Sequence, residues 1–112
     1  APRFLRPPYL DWNAGVASAT GLTLIGGYCP DDWDSNQTVQ GRIDGVRANI
    51  KDGDVLLMHD FANNEDTVEA LRTIIPELLD RGFTFVTVSE LFKLRWPDGQ
   101  SPRHEQIYHN VY

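Results

Sequence analysis

A single cysteine, Cys29, stands among the 112 residues, so no disulfide can close within the chain, and cysteine usage names no redox compartment. Basic residues are scarce as well. Ten Lys and Arg against sixteen Asp and Glu give a formal charge of −6 and a pI near 4.8. A phosphate-binding surface needs clustered cations that displace counterions, so no nucleic-acid partner is expected. No apolar run approaches the roughly 20 residues of a membrane span. The strongest compact run is residues 55–58, and no membrane partner is expected. Also missing are a glycine-rich phosphate loop, a G-x-S-x-G nucleophile elbow, internal repeats and low-complexity segments. The start at Ala1 rather than Met reads as a processed, excised or cleaved product.

What is present is ordinary for a globular chain: 41% hydrophobic and 23% charged residues. At this length one domain is expected, burying about two-thirds of its unfolded surface. "RFLRPPYLDWN" at 3–13 fits no helix or strand period. Asn13 then caps a predicted short helix released at Gly21. "LTLIGG" reads as a buried strand delivering the acidic loop "YCPDDWDSN". Val39, Ile43, Val46 and Ile50 recur at helical spacing, with Gly53 as the expected stop. "DVLLMHD" is an apolar run with a polar end and predicts a strand buried on both faces, with His59 at its rim. Asp66 and Glu69 propose a capping box for a helix whose buried stripe is Val68, Leu71, Ile75 and Leu78, kinked at Pro76. Gly82 ends that helix, "FTFVTV" is a strand, and Ser89 caps a last helix. Residues 1–95 form the structured part, and 96–112 read as a polar tail in which His104 and His109 are solvated.

Strands alternating with helices predict an α/β chain with a parallel sheet and right-handed crossovers. Three strands make a narrow sheet that needs both faces covered, so the chain reads as part of an α/β barrel or sheet. In such folds functional groups gather at the carboxyl ends of the strands. There the sequence offers Arg6, Tyr9, Asp31, Asp32, His59 and Asp60. A carboxylate against an imidazole raises its pKa and orients the ring, as a general acid near neutral pH requires. Two readings stand at this point for each group. A lone His ending a strand is also a common structural residue; Arg6 beside two prolines suits a surface turn; Asp31 and Asp32 suit turn formation. Cys29, Asp32, His59 and Asp60 carry zinc-type donors, but their spacing fits no ligand pattern, and no metal site is assigned to the chain.

Arg6-Pro7-Pro8-Tyr9, Asp32-Trp33 and Leu57-Met58-His59, in that order, together with "TVEALRTIIPELLDRGFTFVTVSELF", resemble the last three motifs of the polysaccharide deacetylase family, carbohydrate esterase family 4. The resemblance spans about residues 3–95. It implies the C-terminal part of a distorted (β/α) barrel. It also implies that Arg6 orients a catalytic-base aspartate, that the Tyr9 backbone N–H helps hold an oxyanion, and that His59 is the general acid oriented by Asp32. Leu57, Trp33 and Tyr9 are implied as substrate-binding. Cys29 stands where the family has an aspartate and Gly26 where many members carry tryptophan. The family's T-F-D-D and H-[ST]-x-x-H motifs do not occur in these residues, so its divalent metal, zinc or cobalt, is expected to find its ligands outside this chain. The implied partners are an acetylated polysaccharide and the N-terminal half of the same domain. The implied activity is metal-dependent deacetylation outside the cell, on acetylxylan in preference to chitin or peptidoglycan-type glycans, with the isolated chain inactive. The alternative is a non-catalytic carbohydrate-binding or structural module on the same fold.

Overall fold

The Asn13 side chain accepts a hydrogen bond from the Val16 N–H and starts helix α1, Ala14–Thr20; Gly21 closes it in the left-handed conformation. These caps belong to a computed structural model that describes residues 1–103 and 105–112. His104, read as a solvated tail residue, lies outside them.

The chain divides into two compact units, the first comprising Ala1–Gly27, Gly53–Val55 and Thr87–Tyr112. Here β2, Thr23–Ile25, fully buried, is the middle strand of a parallel three-stranded sheet. Its neighbours are β1, Phe4–Leu5, and β3, Ile107–Tyr108, two segments that carry no strand period of their own. Residues 96–112 therefore include more than a polar tail: Tyr108 and Val111 are core residues packed with Ile25 and Phe92. His109 is exposed, yet its Nδ1 accepts a hydrogen bond from the Gly27 N–H at 2.9 Å. Its ring fills the space that a Cβ at Gly26 would need. Helix α4, Val88–Arg95, is capped two residues earlier than the sequence suggests, by a Thr87–Glu90 capping box, while Ser89 accepts from Arg3. Gly53 is not a helix stop. It takes φ +98° beneath the Val111 carbonyl, a place that no side chain could share.

The second unit comprises Tyr28–Asp52 and Leu56–Val86. Helix α2, Val39–Asn49, buries Ile43 and Val46 as its periodicity predicts. Helix α3, Glu65–Asp80, runs through Pro76 and packs Ala70, Ile74 and Leu78 against them. Its buried stripe is thus Thr67, Ala70, Ile74 and Leu78, whereas Val68 and Ile75 are exposed. Both stripes have helical spacing. Thr67 turns inward because its hydroxyl donates to buried Asp32 at 2.9 Å, and Ala70 on the same face packs against Ile43 and Val46. Asn64, not Asp66, precedes the first turn, and no side chain caps it.

Two predicted strands are absent as ladders. Within residues 54–60 only isolated bridges form, Asp54 to Asn110 and Leu56 to Tyr28. Residues 83–87 form no ladder, with Phe85 and Val86 exposed. A strand exists only when a neighbouring backbone accepts its hydrogen bonds, and apolar composition does not supply that neighbour.

Candidate active site

Asp32 sits in the loop after Pro30 with no solvent exposure, and a bare carboxylate there would be untenable. Four donors meet it. Its Oδ1 faces His59 Nδ1 at 2.9 Å and accepts from the Cys29 thiol at 3.4 Å. Its Oδ2 accepts from the His59 backbone N–H at 2.7 Å and from Thr67 Oγ1 at 2.9 Å. Burial alone pushes the carboxyl upward; the donors, His59 foremost, outweigh it and hold the group below its ordinary value of 3.8. Asp32 is therefore ionised at neutral pH and can only accept, so the proton of this pair rides on Nδ1. Nε2 is left as the ring nitrogen for proton transfer, on a side chain 29% exposed. Burial first, then the hydrogen bond to Asp32, pushes the Cys29 thiol up, keeping it a protonated donor.

The loop bearing Asp32 is held by a residue that sequence patterning does not single out. Arg42, on α2 beside Ile43, is 2% exposed. Its guanidinium donates to the backbone carbonyls of Asp32 at 2.9 Å, Asp34 at 3.3 Å and Gln37. It also reaches Asn64 Oδ1 at 3.4 Å and pairs with Asp66 at 3.6 Å. Asn64 in turn donates from its amide to the His59 carbonyl at 2.9 Å. One buried cation thus ties together the segments carrying Asp32 and His59. Arg42, Asn64 and Thr67 were missed by the sequence reading. The signal available was an arginine next to the buried stripe of α2 with no acidic neighbour at helical spacing. No buried side-chain nitrogen or oxygen among the described residues lacks a hydrogen-bond partner.

Other predicted residues fall as follows. Leu57 is buried, and its N–H donates to the Tyr28 carbonyl at 2.8 Å. Trp33 is 55% exposed; Asp31 and Asp60 are exposed as well. In the first unit Pro7 is buried and Arg6 is exposed. Tyr9, 99% exposed, sits at φ +58° and Leu10 at φ +53°, a conformation that costs a residue with a Cβ about 1–2 kcal/mol. The Leu10 N–H to Pro7 carbonyl bond at 3.0 Å and the Asp11 N–H to Pro8 carbonyl bond at 3.1 Å hold that turn.

Cys29, Asp32 and His59 place metal-ligand atoms within 4.8 Å of one another. Each Asp32 oxygen already accepts two hydrogen bonds, and the thiol is protonated. In this arrangement the three side chains are joined to one another by hydrogen bonds.

No family model matches the chain. Over 110 residues it is 42% identical to a bifunctional xylanase/deacetylase of Pseudobutyrivibrio xylanivorans, across 97% of this chain and 18% of that protein. It is 33% identical to a chitooligosaccharide deacetylase of Sinorhizobium fredii, across 72% of this chain and 44% of that protein. Among solved structures, the Xyl-CE4 domain of a multidomain xylanase from the hindgut metagenome of Trinervitermes trinervoides matches with a TM-score of 0.86 and 38% identity. That match covers 97% of this chain and 52% of the other. A family 4 acetyl xylan esterase from Clostridium thermocellum, solved with a cobalt ion, gives 0.85 and 33%, over 99% of this chain and 54% of its own. These similarities put the chain among the carbohydrate deacetylases. It belongs to the polysaccharide deacetylases of carbohydrate esterase family 4, matching the C-terminal portion of their domain, with an α/β fold consistent with a partial barrel. The chain spans about half the length of these solved structures and less than half of the curated relatives cited.

Proposed function

We propose that this chain supplies the acid side of a hydrolase active site that removes acetyl groups from a polysaccharide, O-acetyl groups of acetylxylan in preference to N-acetyl groups of chitin or peptidoglycan-type glycans. The observation that carries it is the grip of buried, ionised Asp32 on both the ring and the backbone of His59. Such a grip turns Nδ1 toward Asp32 and leaves Nε2 to carry the proton that passes to the departing sugar oxygen as the acyl–oxygen bond breaks. Water supplies the hydroxyl that leaves with the acetate. The xylan preference draws support from the xylanase/deacetylase and acetyl xylan esterase relatives.

In this reading Arg6 orients the base aspartate and the Tyr9 N–H steadies the oxyanion; the constrained turn at 7–10 favours fixed donors of this kind. Leu57 faces the acetyl methyl, and Trp33 and Tyr9 meet the sugar chain. The complete domain includes the N-terminal half and a divalent cation of zinc or cobalt type held by residues other than these, which polarises the acetyl carbonyl. Acting on such polymers, the protein works outside the cell. The decisive experiment is His59→Ala in a form containing both halves, assayed on acetylated xylan. Turnover is expected to fall by about 10²–10⁴-fold with the Michaelis constant little changed. A raised Michaelis constant with intact turnover would falsify the general-acid assignment.

A further inference from the structure

Phe61 lies outside the three motifs that point to the deacetylase reading, and its ring is 51% exposed in the second unit. A single exposed aromatic is unremarkable on a protein surface. This one has three further properties. Its ring lies edge-on to His59, with centroids 6.3 Å apart, so Phe61 borders the imidazole. Its backbone is pinned, since the Phe61 carbonyl accepts from the Asn64 N–H at 3.3 Å while the Asn64 amide holds the His59 carbonyl. And it has a counterpart: Trp33, also half exposed, follows Asp32 directly in a loop whose carbonyls on either side of the indole are gripped by Arg42. Asn64 reaches the same Arg42 through its Oδ1. The two loops that carry the rings therefore share one buried anchor, and each ring sits within two residues of one partner in the 2.9 Å acid pair.

We infer that Phe61 and Trp33 are a paired sugar-stacking platform flanking His59, with Phe61 the unassigned member, and that its ligand is a pyranose chain presented by its C–H face. The electron-rich face of an aromatic ring attracts the polarised C–H groups of a sugar, and a ring held in place loses little entropy on binding. Hydrogen-bond donors and acceptors to sugar hydroxyls are not required of Phe61. Its contribution is position: it keeps a sugar against the ring nitrogen that gives up the proton. This rests on the deacetylase reading for the identity of the ligand.

The test is binding, not turnover. The 112-residue chain is titrated with xylotetraose and, separately, with N-acetylchitotetraose, following tryptophan fluorescence or amide shifts. Phe61→Ala is expected to weaken whichever sugar binds by roughly three- to tenfold, with unchanged circular dichroism and thermal midpoint, because the side chain is half in water. Phe61→Trp retains affinity. Phe61→Leu, which keeps the apolar bulk and loses the ring face, behaves like the alanine variant. Equal affinity for Phe61→Ala and the parent, full affinity for Phe61→Leu, or no binding of either sugar by the parent chain overturns the inference. Loss of deacetylation on His59→Ala with no effect of Phe61→Ala on binding removes the platform and leaves the acid assignment standing. Weakened binding in Phe61→Ala without any deacetylation by the complete domain does the reverse.

Discussion

The two units hold their candidate functional groups by opposite means. In the first, the turn at 7–10 is stiffened by the covalent chain: two proline rings, two left-handed residues and two backbone hydrogen bonds place Arg6 and Tyr9. In the second, side chains do the holding. Arg42, Asn64, Thr67 and Cys29 converge on the Asp32–His59 pair through buried and part-buried hydrogen bonds. A covalent constraint acts largely on the unfolded chain and is local, so it tolerates change. A buried polar network is conditional on every member being present and correctly charged. The region that needs a defined protonation state is the one built from ionisable parts.

This contrast is sharpest at Arg42. Arg42→Ala strips the donor from three backbone carbonyls, that of Asp32 buried, and from Asn64, and is expected to cost about 3–5 kcal/mol in urea unfolding. Arg42→Lys should recover little, since an ammonium cannot span those acceptors. A loss under about 1 kcal/mol would show that the loop is held by other means. Next in size is Asp32→Asn, about 1.5–3 kcal/mol at neutral pH, because an amide no longer receives charge-assisted bonds.

The same pair gives a pH signature. Asp32 is held below its ordinary 3.8 in the folded protein, so its contribution is complete above that value and is lost as pH falls through the lower folded-state value. The stability gap between the parent and Asp32→Asn should close as the pH falls below the ordinary carboxyl value of 3.8. A gap that widened on acidification would mean a carboxyl raised, not lowered. The smallest effects belong to the first unit. Pro8→Ala, at the exposed ring, should cost under about 1 kcal/mol, and Tyr9→Gly should be neutral or stabilising by about 1 kcal/mol, since glycine takes φ +58° without strain. A loss of several kcal/mol in either would mean that this turn, too, is held by its surroundings.

Short-range chemistry was legible in the sequence. Asn13 and Gly21 bracket α1, and the spacing of Ile43 and Val46 phases α2, because capping and helical period involve residues within one or two turns. The order of the three motifs, matched to a family, named Asp32 and His59 together before any distance was known. What could not be read was who pairs with whom. β1 and β3 are two-residue strands that exist because β2 lies between them. Residues 83–87, better strand formers by composition, have no ladder. On α3 two stripes satisfied the same period, and contacts with Asp32 and α2 chose the one with Thr67 and Ala70.

The amino-acid order by itself determined the helices, the two caps of α1, the acidic loop and the apolar run ending in His59, since each depends on neighbours along the chain. Tertiary structure decided which strands exist, that Arg42 faces inward, and that Asp32 is ionised although buried. Those outcomes depend on groups 10 to 83 positions apart in the chain. Their free energies arise only when folding removes water and brings donor to acceptor.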